Sequence, residues 1–223
     1  MQIALLPAKP PHLAKTRLGT LLTAAEREAV SRAMFDDVLA ALSGSHRLDA
    51  VLVVTADLAL AERARAARAT VVAEGVPRGL NGAVALGTVA AIRRRASTVV
   101  VVLSDIPLLT PADVDDMLDL APRPGVLLVP SKEGTGTNAM VRTPGTLFPP
   151  RFGERSLERH VAAADRRGLP CELWPNARIG FDVDTPEDLR AFACRASGTR
   201  TYDEALRLGL ATISSAPSAG RST

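Results

Sequence analysis

Four consecutive valines, at positions 99–102, are followed by Leu103 and, two residues later, by the carboxylate of Asp105. An apolar run with four β-branched side chains is typical of a strand buried on both faces, as in a parallel sheet covered by helices. Ligands bind just beyond the carboxyl ends of such strands, and an ionised acid there is seldom left without a partner. This stretch therefore predicts an α/β fold in which Asp105 faces a ligand, and we expect that ligand to be a metal ion.

Strand-like and helix-like segments alternate along the rest of the chain, which favours one α/β domain with a mostly parallel sheet flanked by helices. Further strands are predicted at residues 2–6, 51–54, 70–73, 125–129 and 139–142. A chain of 223 residues can bury one sizeable core. We predict a single domain over residues 1–209 and a disordered tail over residues 210–223, where small and polar residues prevail.

A second acidic segment lies at residues 178–184, which we predict to be a strand ending in Asp182 and Asp184. Two residues that are two positions apart on a strand point to the same face. Each acidic segment is followed by Thr-Pro-x-Asp, at 110–113 and at 185–188, in which Thr caps a helix and Asp completes a capping box. Helix capping alone explains either motif, but the repeated arrangement predicts that both segments border one cleft.

The segment after the first strand, residues 7–19, contains three prolines and three cations, Lys9, Lys15 and Arg17. The prolines disfavour a helix over most of it. The cations would neutralise a triphosphate, although a solvated basic loop fits the spacing equally well.

Two later segments could hold a phosphate group. Residues 130–138 are polar and rich in glycine, and glycines let backbone amides approach a ligand closely. Ser156 is predicted to cap a helix soon after Gly153, and such a helix start can bind a phosphate. A solvent-exposed loop and a plain helix cap are the alternative interpretations of these two segments.

The carboxylates of Asp105, Asp182 and Asp184 could hold two Mg²⁺ ions, which bind carboxylate and phosphate oxygens. The three histidines are scattered, and Cys171 and Cys194 lack a metal-ligand spacing, so we expect inert thiols. The predicted chemistry is a metal-assisted displacement at phosphorus, in which positioning and charge neutralisation supply most of the rate.

The overall charge limits the kind of partner. A net charge of +3 and a pI of about 9.3 suit a small anionic substrate but are too weak and scattered to indicate nucleic acid. No apolar run is long enough to span a membrane, and the first predicted strand begins at Gln2, which leaves no room for a signal peptide. We therefore expect a cytoplasmic protein without a membrane or nucleic-acid partner.

Six short motifs, in this order, resemble the 2-phospho-L-lactate guanylyltransferase family of coenzyme F-420 biosynthesis. They are Pro-Ala-Lys with Ala-Lys-Thr-Arg-Leu (7–9, 14–18), Gly-Leu-Asn (79–81), Ser-Asp-Ile-Pro-Leu-Leu (104–109), Gly-Thr-Asn-Ala (136–139), Phe-Gly-x-x-Ser with a later His (152–160), and Asp-Val-Asp-Thr-Pro-x-Asp-Leu (182–189). The family includes enzymes for 2-phospho-L-lactate, phosphoenolpyruvate and 3-phospho-D-glycerate. The motifs leave open which of the three acids this chain accepts, because all three have one phosphate and one carboxylate.

The resemblance implies a nucleotidyltransferase fold of the nucleotide-diphospho-sugar transferase, or glycosyltransferase A, type that uses GTP and Mg²⁺. It implies that the acceptor phosphate attacks the α-phosphorus of GTP and that pyrophosphate leaves. A next enzyme of the pathway could then take the unstable product. From the matching motifs, the resemblance implies that Asp105, Asp182 and Asp184 bind the metal. It also implies that these three residues and Lys15 are catalytic. The implied nucleotide contacts are Ala8, Lys9, Lys15, Arg17, Glu74 and Asn81, and the implied acceptor contacts are Thr137, Asn138, Gly153 and Ser156.

Two other interpretations stay open. One is a related enzyme, a molybdenum-cofactor guanylyltransferase or a sugar-phosphate nucleotidyltransferase. The former usually has a glycine-rich loop after its first strand, where this chain has Pro-Ala-Lys-Pro-Pro at 7–11. The other is a non-catalytic GTP-binding protein, which would bind GTP without turnover.

Overall fold

A seven-stranded sheet lies at the centre of the computed structural model, which describes residues 1–195 and 198–211. Its strands are β1 (Gln2–Pro7), β2 (Ala50–Thr55), β3 (Thr70–Ala73), β4 (Thr98–Val102), β5 (Gly125–Pro130), β6 (Thr137–Thr143) and β7 (Cys171–Leu173). They are arranged in the order β3-β2-β1-β4-β6-β5-β7. β6 pairs antiparallel with both of its neighbours, whereas the other pairings are parallel. The predicted mostly parallel sheet is therefore confirmed.

Helices cover both faces of this sheet. They are α1 (Ala24–Ser43), α2 (Leu58–Ala66), α3 (Gly79–Arg93), α4 (Pro111–Leu120), α5 (Ser156–Asp165), α6 (Pro186–Ala193) and α7 (Arg200–Arg207). Successive residues of β4 enter different cores: Val100 and Val102 pack with α1 and α4, and Val99 and Val101 pack with α3 and α5. Because side chains alternate along a strand, burial on both faces requires the continuous valine run of the sequence.

The two Thr-Pro-x-Asp motifs form helix starts as predicted. The Thr110 side chain accepts a hydrogen bond from the Asp113 amide, and the Asp113 carboxylate accepts one from the Thr110 amide. Thr185 and Asp188 repeat the same exchange at the start of α6. Each reciprocal pair satisfies backbone amides that the first turn of a helix leaves without partners.

Three local predictions are wrong. Residues 178–184 form a loop and not a strand, because they lie beyond the sheet and their backbone bonds to side chains and turns. Ser156 is the first residue of α5 and not its cap; the cap position belongs to Arg155, in a left-handed conformation with φ 50°. The proline-rich segment after β1 contains two short 3-10 helices, Pro11–Leu13 and Thr16–Thr20.

The end of the chain differs slightly from the expected domain boundary. Leu210, assigned to the tail, packs on the apolar cluster beneath α6 and donates its amide to the Ala205 carbonyl. The predicted tail from residue 212 onward lies outside the described residues.

Within the described residues, no helix has both the length and the apolar character needed to cross a membrane. Cys171 and Cys194 are free thiols.

Candidate active site

A cleft of about 500 Å³ opens at the carboxyl ends of β1 and β4. Ala8 and Lys9 follow β1 in one wall, and Asp105 follows β4 at the acidic end. Further lining comes from Glu74, just after β3, and from Leu80, in the first turn of α3. Because β1 and β4 are parallel neighbours, their carboxyl ends meet, which is where α/β sheets bind ligands.

Lys15 joins two of the predicted metal ligands. Its Nζ donates to Asp105 Oδ2 at 2.9 Å and to Asp184 Oδ1 at 2.6 Å, and only 8% of its side chain is exposed. Burial lowers the pKa of Lys15, but the charges of Asp105 and Asp184 outweigh burial, and the pKa is raised above its usual value. Lys15 is therefore a protonated internal cation in contact with carboxylates, at the end of the cleft.

The charges of Asp105 and Asp184 also act on the carboxylate of Asp182. Burial raises its pKa, a hydrogen bond from Asn138 opposes that effect, and the charges of Asp105 and Asp184 raise the pKa further. Asp105 Oδ1 is buried without a hydrogen-bond partner in the described part of the chain. These oxygens and their mutual repulsion fit a divalent cation, which would give the unpaired oxygen a partner and balance the charge.

In the described part of the chain, the acidic side chains are not grouped as the ligands of a metal ion. Among residues 1–195 and 198–211, no three His, Cys, Asp or Glu side chains are arranged to hold a metal ion. The ammonium group of Lys15 contacts two of the carboxylates instead. Negative charge in this end of the cleft is therefore partly neutralised by the chain's own lysine.

The acidic loop, residues 176–184, is held by the start of β6. Since β6 runs antiparallel to β4, its amino end lies beside the carboxyl end of β4, and the Leu103 amide donates to the Asn138 carbonyl. The buried Asn138 side chain donates to the carbonyls of Ile179 and Gly180 and to Asp182 Oδ1, at 3.0, 3.2 and 3.1 Å. Asn138 thus orients a predicted metal ligand. The family motifs imply only an acceptor contact for this residue.

A second support comes from α4. The fully buried carboxylate of Asp113 accepts from Asn176 Nδ2 at 2.9 Å and from Arg178 Nε at 2.7 Å, in addition to its role in the capping box. Burial raises the pKa of Asp113, but these hydrogen bonds outweigh it and the pKa lies below its usual value. The carboxylate therefore stays ionised and ties the acidic loop to the helix that follows Asp105.

Several predicted ligand contacts lie elsewhere. Arg17 is exposed on the second 3-10 helix, outside the described lining of the cleft. The Asn81 side chain bonds to the backbone of Phe152. Thr137 is buried and its hydroxyl lies 3.1 Å from His160 Nδ1. Gly153 adopts φ +110°, a conformation that favours glycine, and Ser156 is buried.

Motif reasoning missed the supporting contacts of Asn138, Asp113 and His160. A signal for Asp113 was present, since its Thr-Pro-x-Asp motif directly follows the first acidic segment. For His160, the only signal was its place in the Phe-Gly-x-x-Ser motif, four residues after Ser156. Nothing in the spacing indicated that its ring lies beneath residues 151–152.

Curated relatives match most of the chain. The phosphoenolpyruvate guanylyltransferase of Sphaerobacter thermophilus is 36% identical over 91% of this chain and 97% of its own length. The 2-phospho-L-lactate guanylyltransferase of Methanothermobacter thermautotrophicus is 36% identical over 92% and 90%, respectively. The 3-phospho-D-glycerate guanylyltransferase of Phenylobacterium zucineum is 36% identical over 85% and 88%.

Solved structures show the same fold at lower identity. A protein of Desulfovibrio desulfuricans G20 assigned to the nucleotide-diphospho-sugar transferases has a TM-score of 0.74 and 21% identity, over 93% of this chain and 96% of its own. A Mycobacterium tuberculosis H37Rv protein in complex with manganese has a TM-score of 0.52 and 20% identity, over 85% and 96%. The family described as Guanylyl transferase CofC like matches residues 1–223. By this match and by its relatives, the chain belongs to the CofC-like guanylyl transferase family.

Proposed function

We propose that this chain transfers GMP from GTP to a small phospho-carboxylic acid and releases pyrophosphate, as a step of coenzyme F-420 biosynthesis. The observation that carries the proposal is the acidic end of the cleft, where Asp105 and Asp184 meet the buried cation Lys15. The names of the relatives favour a guanylyltransferase over the molybdenum-cofactor and sugar-phosphate alternatives. They also supply the three candidate acceptors: phosphoenolpyruvate, 2-phospho-L-lactate and 3-phospho-D-glycerate.

The cleft is the proposed site for GTP. Ala8 and Lys9, which follow β1, and Glu74, which follows β3, all line the cleft, so a nucleotide that fills it would meet them. A cation such as Lys9 suits the triphosphate, and a carboxylate such as Glu74 can accept hydrogen bonds from guanine or ribose. Arg17 could reach the phosphates only from outside the cleft, and its contribution to GTP binding stays a prediction.

Asp105, Asp182 and Asp184 are the residues that would hold Mg²⁺, and we propose two ions. Mg²⁺ neutralises phosphate charge and polarises phosphoryl oxygens when it is bound. The manganese complex of a protein with this fold supports a divalent cation. Asn138 keeps Asp182 in place, and the raised pKa of Lys15 keeps a positive charge beside Asp105. We assign to Lys15 the neutralisation of phosphate charge during transfer.

In the proposed reaction, a phosphate oxygen of the acceptor forms a bond to the α-phosphorus of GTP. The bond from that phosphorus to the bridging oxygen of the β-phosphate breaks, and pyrophosphate takes the electron pair. We place the acceptor near Thr137, Asn138, Gly153 and Ser156, as the motifs imply. Thr137 and Asn138 begin β6 beside the carboxyl end of β4, next to the acidic loop, which supports this placement.

A coupled pyrophosphate assay tests the proposal. The purified chain, Mg²⁺, GTP and each phospho-acid in turn should release pyrophosphate, and omission of the acid should abolish release. The Asp105→Asn variant serves as the inactive control. Binding of GTP without release for any acid would favour the non-catalytic alternative. Because GTP is a cytoplasmic metabolite, we place the reaction in the cytoplasm and propose that a following enzyme takes the product.

A further inference from the structure

The backbone of residues 151–153, here called the acceptor loop, is held by a side chain from α3. Asn81 Oδ1 accepts from the Phe152 amide at 2.8 Å, and Asn81 Nδ2 donates to the Phe152 carbonyl at 3.0 Å. Both backbone groups of one loop residue therefore bond to one amide side chain, as they would to a neighbouring strand. Asn81 lies in the first turn of α3 but outside the described lining of the cleft, in contrast to its neighbours Gly79 and Leu80.

His160 holds the same loop from beneath. Its Nε2 accepts from the Arg151 amide at 3.0 Å, so in the neutral ring the proton is on Nδ1 and is donated to Thr137 Oγ1 at 3.1 Å. The ring is fully buried and makes an edge contact with Phe152, with ring centroids 5.0 Å apart. His160 therefore connects the acceptor loop to Thr137 at the start of β6.

These two sets of hydrogen bonds, made by Asn81 and by His160 and here called the clamps, join the two segments to which the motifs assign acceptor binding. The loop contains Gly153, the hydroxyl bonded to His160 belongs to Thr137, and Ser156 donates its amide to the Gly153 carbonyl at 3.1 Å. A Cβ at Gly153 would meet nothing within 4 Å, so its left-handed backbone, and not crowding, requires glycine. A loop in such a conformation keeps one shape only when its flanking residues are held.

We propose that Asn81 and His160 are positioning residues for the acceptor: they fix the backbone of the acceptor loop from two sides, and Asn81 does not contact the nucleotide. This inference rests on the function proposed above. A loop held by three hydrogen bonds presents its backbone groups to a small anion without an entropic cost at the moment of binding. Loss of one clamp should therefore weaken acceptor binding and leave GTP binding unchanged.

Steady-state kinetics of Asn81→Ala separates the two roles. We expect the KM for the acceptor to rise about tenfold or more, with the KM for GTP changed by less than about twofold, because two hydrogen bonds to the loop are lost. Asn81→Asp keeps the oxygen that accepts from the Phe152 amide but loses the group that donates to the Phe152 carbonyl. Its effect on the KM for the acceptor should therefore be smaller than that of Asn81→Ala. Val89→Ala, a change at an exposed position of the same helix, is the matched control.

The same design applies to His160. The variant His160→Leu removes both hydrogen bonds, whereas His160→Gln offers one acceptor and one donor and should restore much of the acceptor KM. Thermal melting of each variant identifies any that fail to fold. A raised KM for GTP with an unchanged KM for the acceptor in Asn81→Ala would overturn the proposal, and so would unchanged values of both.

Backbone amide hydrogen exchange tests the clamps without any activity. In Asn81→Ala, peptides that cover residues 150–154 should exchange faster than in the unsubstituted protein, and peptides of β1 and β4 should not. Unchanged exchange in this segment would show that Asn81 does not hold the loop. If the unsubstituted protein transfers GMP to none of the three acids, the proposed function fails, and the exchange experiment still decides whether the clamps exist.

Discussion

The ammonium group of Lys15 lies 2.6 Å from Asp184 Oδ1 and 2.9 Å from Asp105 Oδ2. The two carboxylates belong to different acidic segments, and Asp105 and Asp184 are 79 positions apart in the chain. Lys15 itself adopts φ 51°, in the left-handed region that residues other than glycine rarely adopt. The lysine therefore neutralises part of the negative charge that a metal ion would otherwise neutralise, and the two cations should compete.

The competition predicts the effect of Lys15→Met on metal binding without nucleotide. We expect Mn²⁺, followed by electron paramagnetic resonance, to bind this variant about tenfold more tightly, because two carboxylates lose their internal cation. Turnover should nevertheless fall by about a hundredfold, because the positive charge at the reacting phosphates is lost. Lys9→Met removes the same charge from the same cleft, but its metal affinity should stay unchanged. Equal or weaker Mn²⁺ binding by Lys15→Met would contradict the competition.

Asp182→Asn should abolish turnover without unfolding the protein. The amide keeps an oxygen that can accept from Asn138 Nδ2, so the acidic loop should keep its shape. The substitution also removes a half-buried negative charge that Asp105 and Asp184 repel. We expect kcat to fall by about a hundredfold or more with an unchanged or higher melting temperature. Near-normal kcat would show that Asp182 has no part in the reaction, and Asp105→Asn offers an independent test of the same site.

Asp113→Ala should affect both stability and rate. The change removes a helix-capping carboxylate and leaves Asn176 and Arg178 without the partner that anchors the acidic loop. We expect the free energy of unfolding to fall by about 2–3 kcal/mol and kcat to fall by about tenfold. Glu26→Ala, which breaks the exposed capping box of α1, is the control and should cost less stability, with no change in kcat. Equal stability loss in the two variants would contradict the anchoring role.

Local signals in the sequence were sufficient for the helix starts and for β4. A capping box needs only residues three positions apart, and the valine run needs only cover on both faces, so both predictions are confirmed. The position of Asp105 beyond a buried strand followed from the same reasoning. These features depend on neighbouring residues alone, and neighbouring residues are what a single sequence displays.

The acidic loop shows why other features could not be predicted. Ile179, Phe181 and Val183 are buried at alternate positions, which is the pattern of a strand. Their burial comes from packing on two different apolar clusters, and the backbone finds its partners in Asn138 and in turns. A period-two pattern shows which residues are buried but not what the backbone bonds to. The roles of Asn81 and His160 depend in the same way on contacts between distant segments.

The buried ring of His160 predicts a pH dependence of stability. Burial, followed by the nearby charges of Arg142 and Arg151, lowers the pKa of His160 to about 4. In the unfolded chain the ring takes up a proton near pH 6.5, so the unfolded state binds more protons between these values and the folded protein loses stability as the pH falls. Relative to His160→Gln, the unsubstituted protein should lose about 3 kcal/mol between pH 7 and pH 4.

Chemical denaturation across this pH range is the measurement. Parallel curves for His160→Gln and the unsubstituted protein would show that His160 is protonated in the folded state, and the assignment of its Nε2 as a hydrogen-bond acceptor would be wrong.

Identification of the product by mass tests the central claim most directly. The protein is incubated with Mg²⁺, GTP and equal amounts of 2-phospho-L-lactate, phosphoenolpyruvate and 3-phospho-D-glycerate. We predict one dominant new mass, that of GMP joined to one of the acids, with an equal amount of pyrophosphate. The dominant mass would name the acceptor. Recovery of unchanged GTP and all three acids, with the protein folded and GTP bound, would contradict the account.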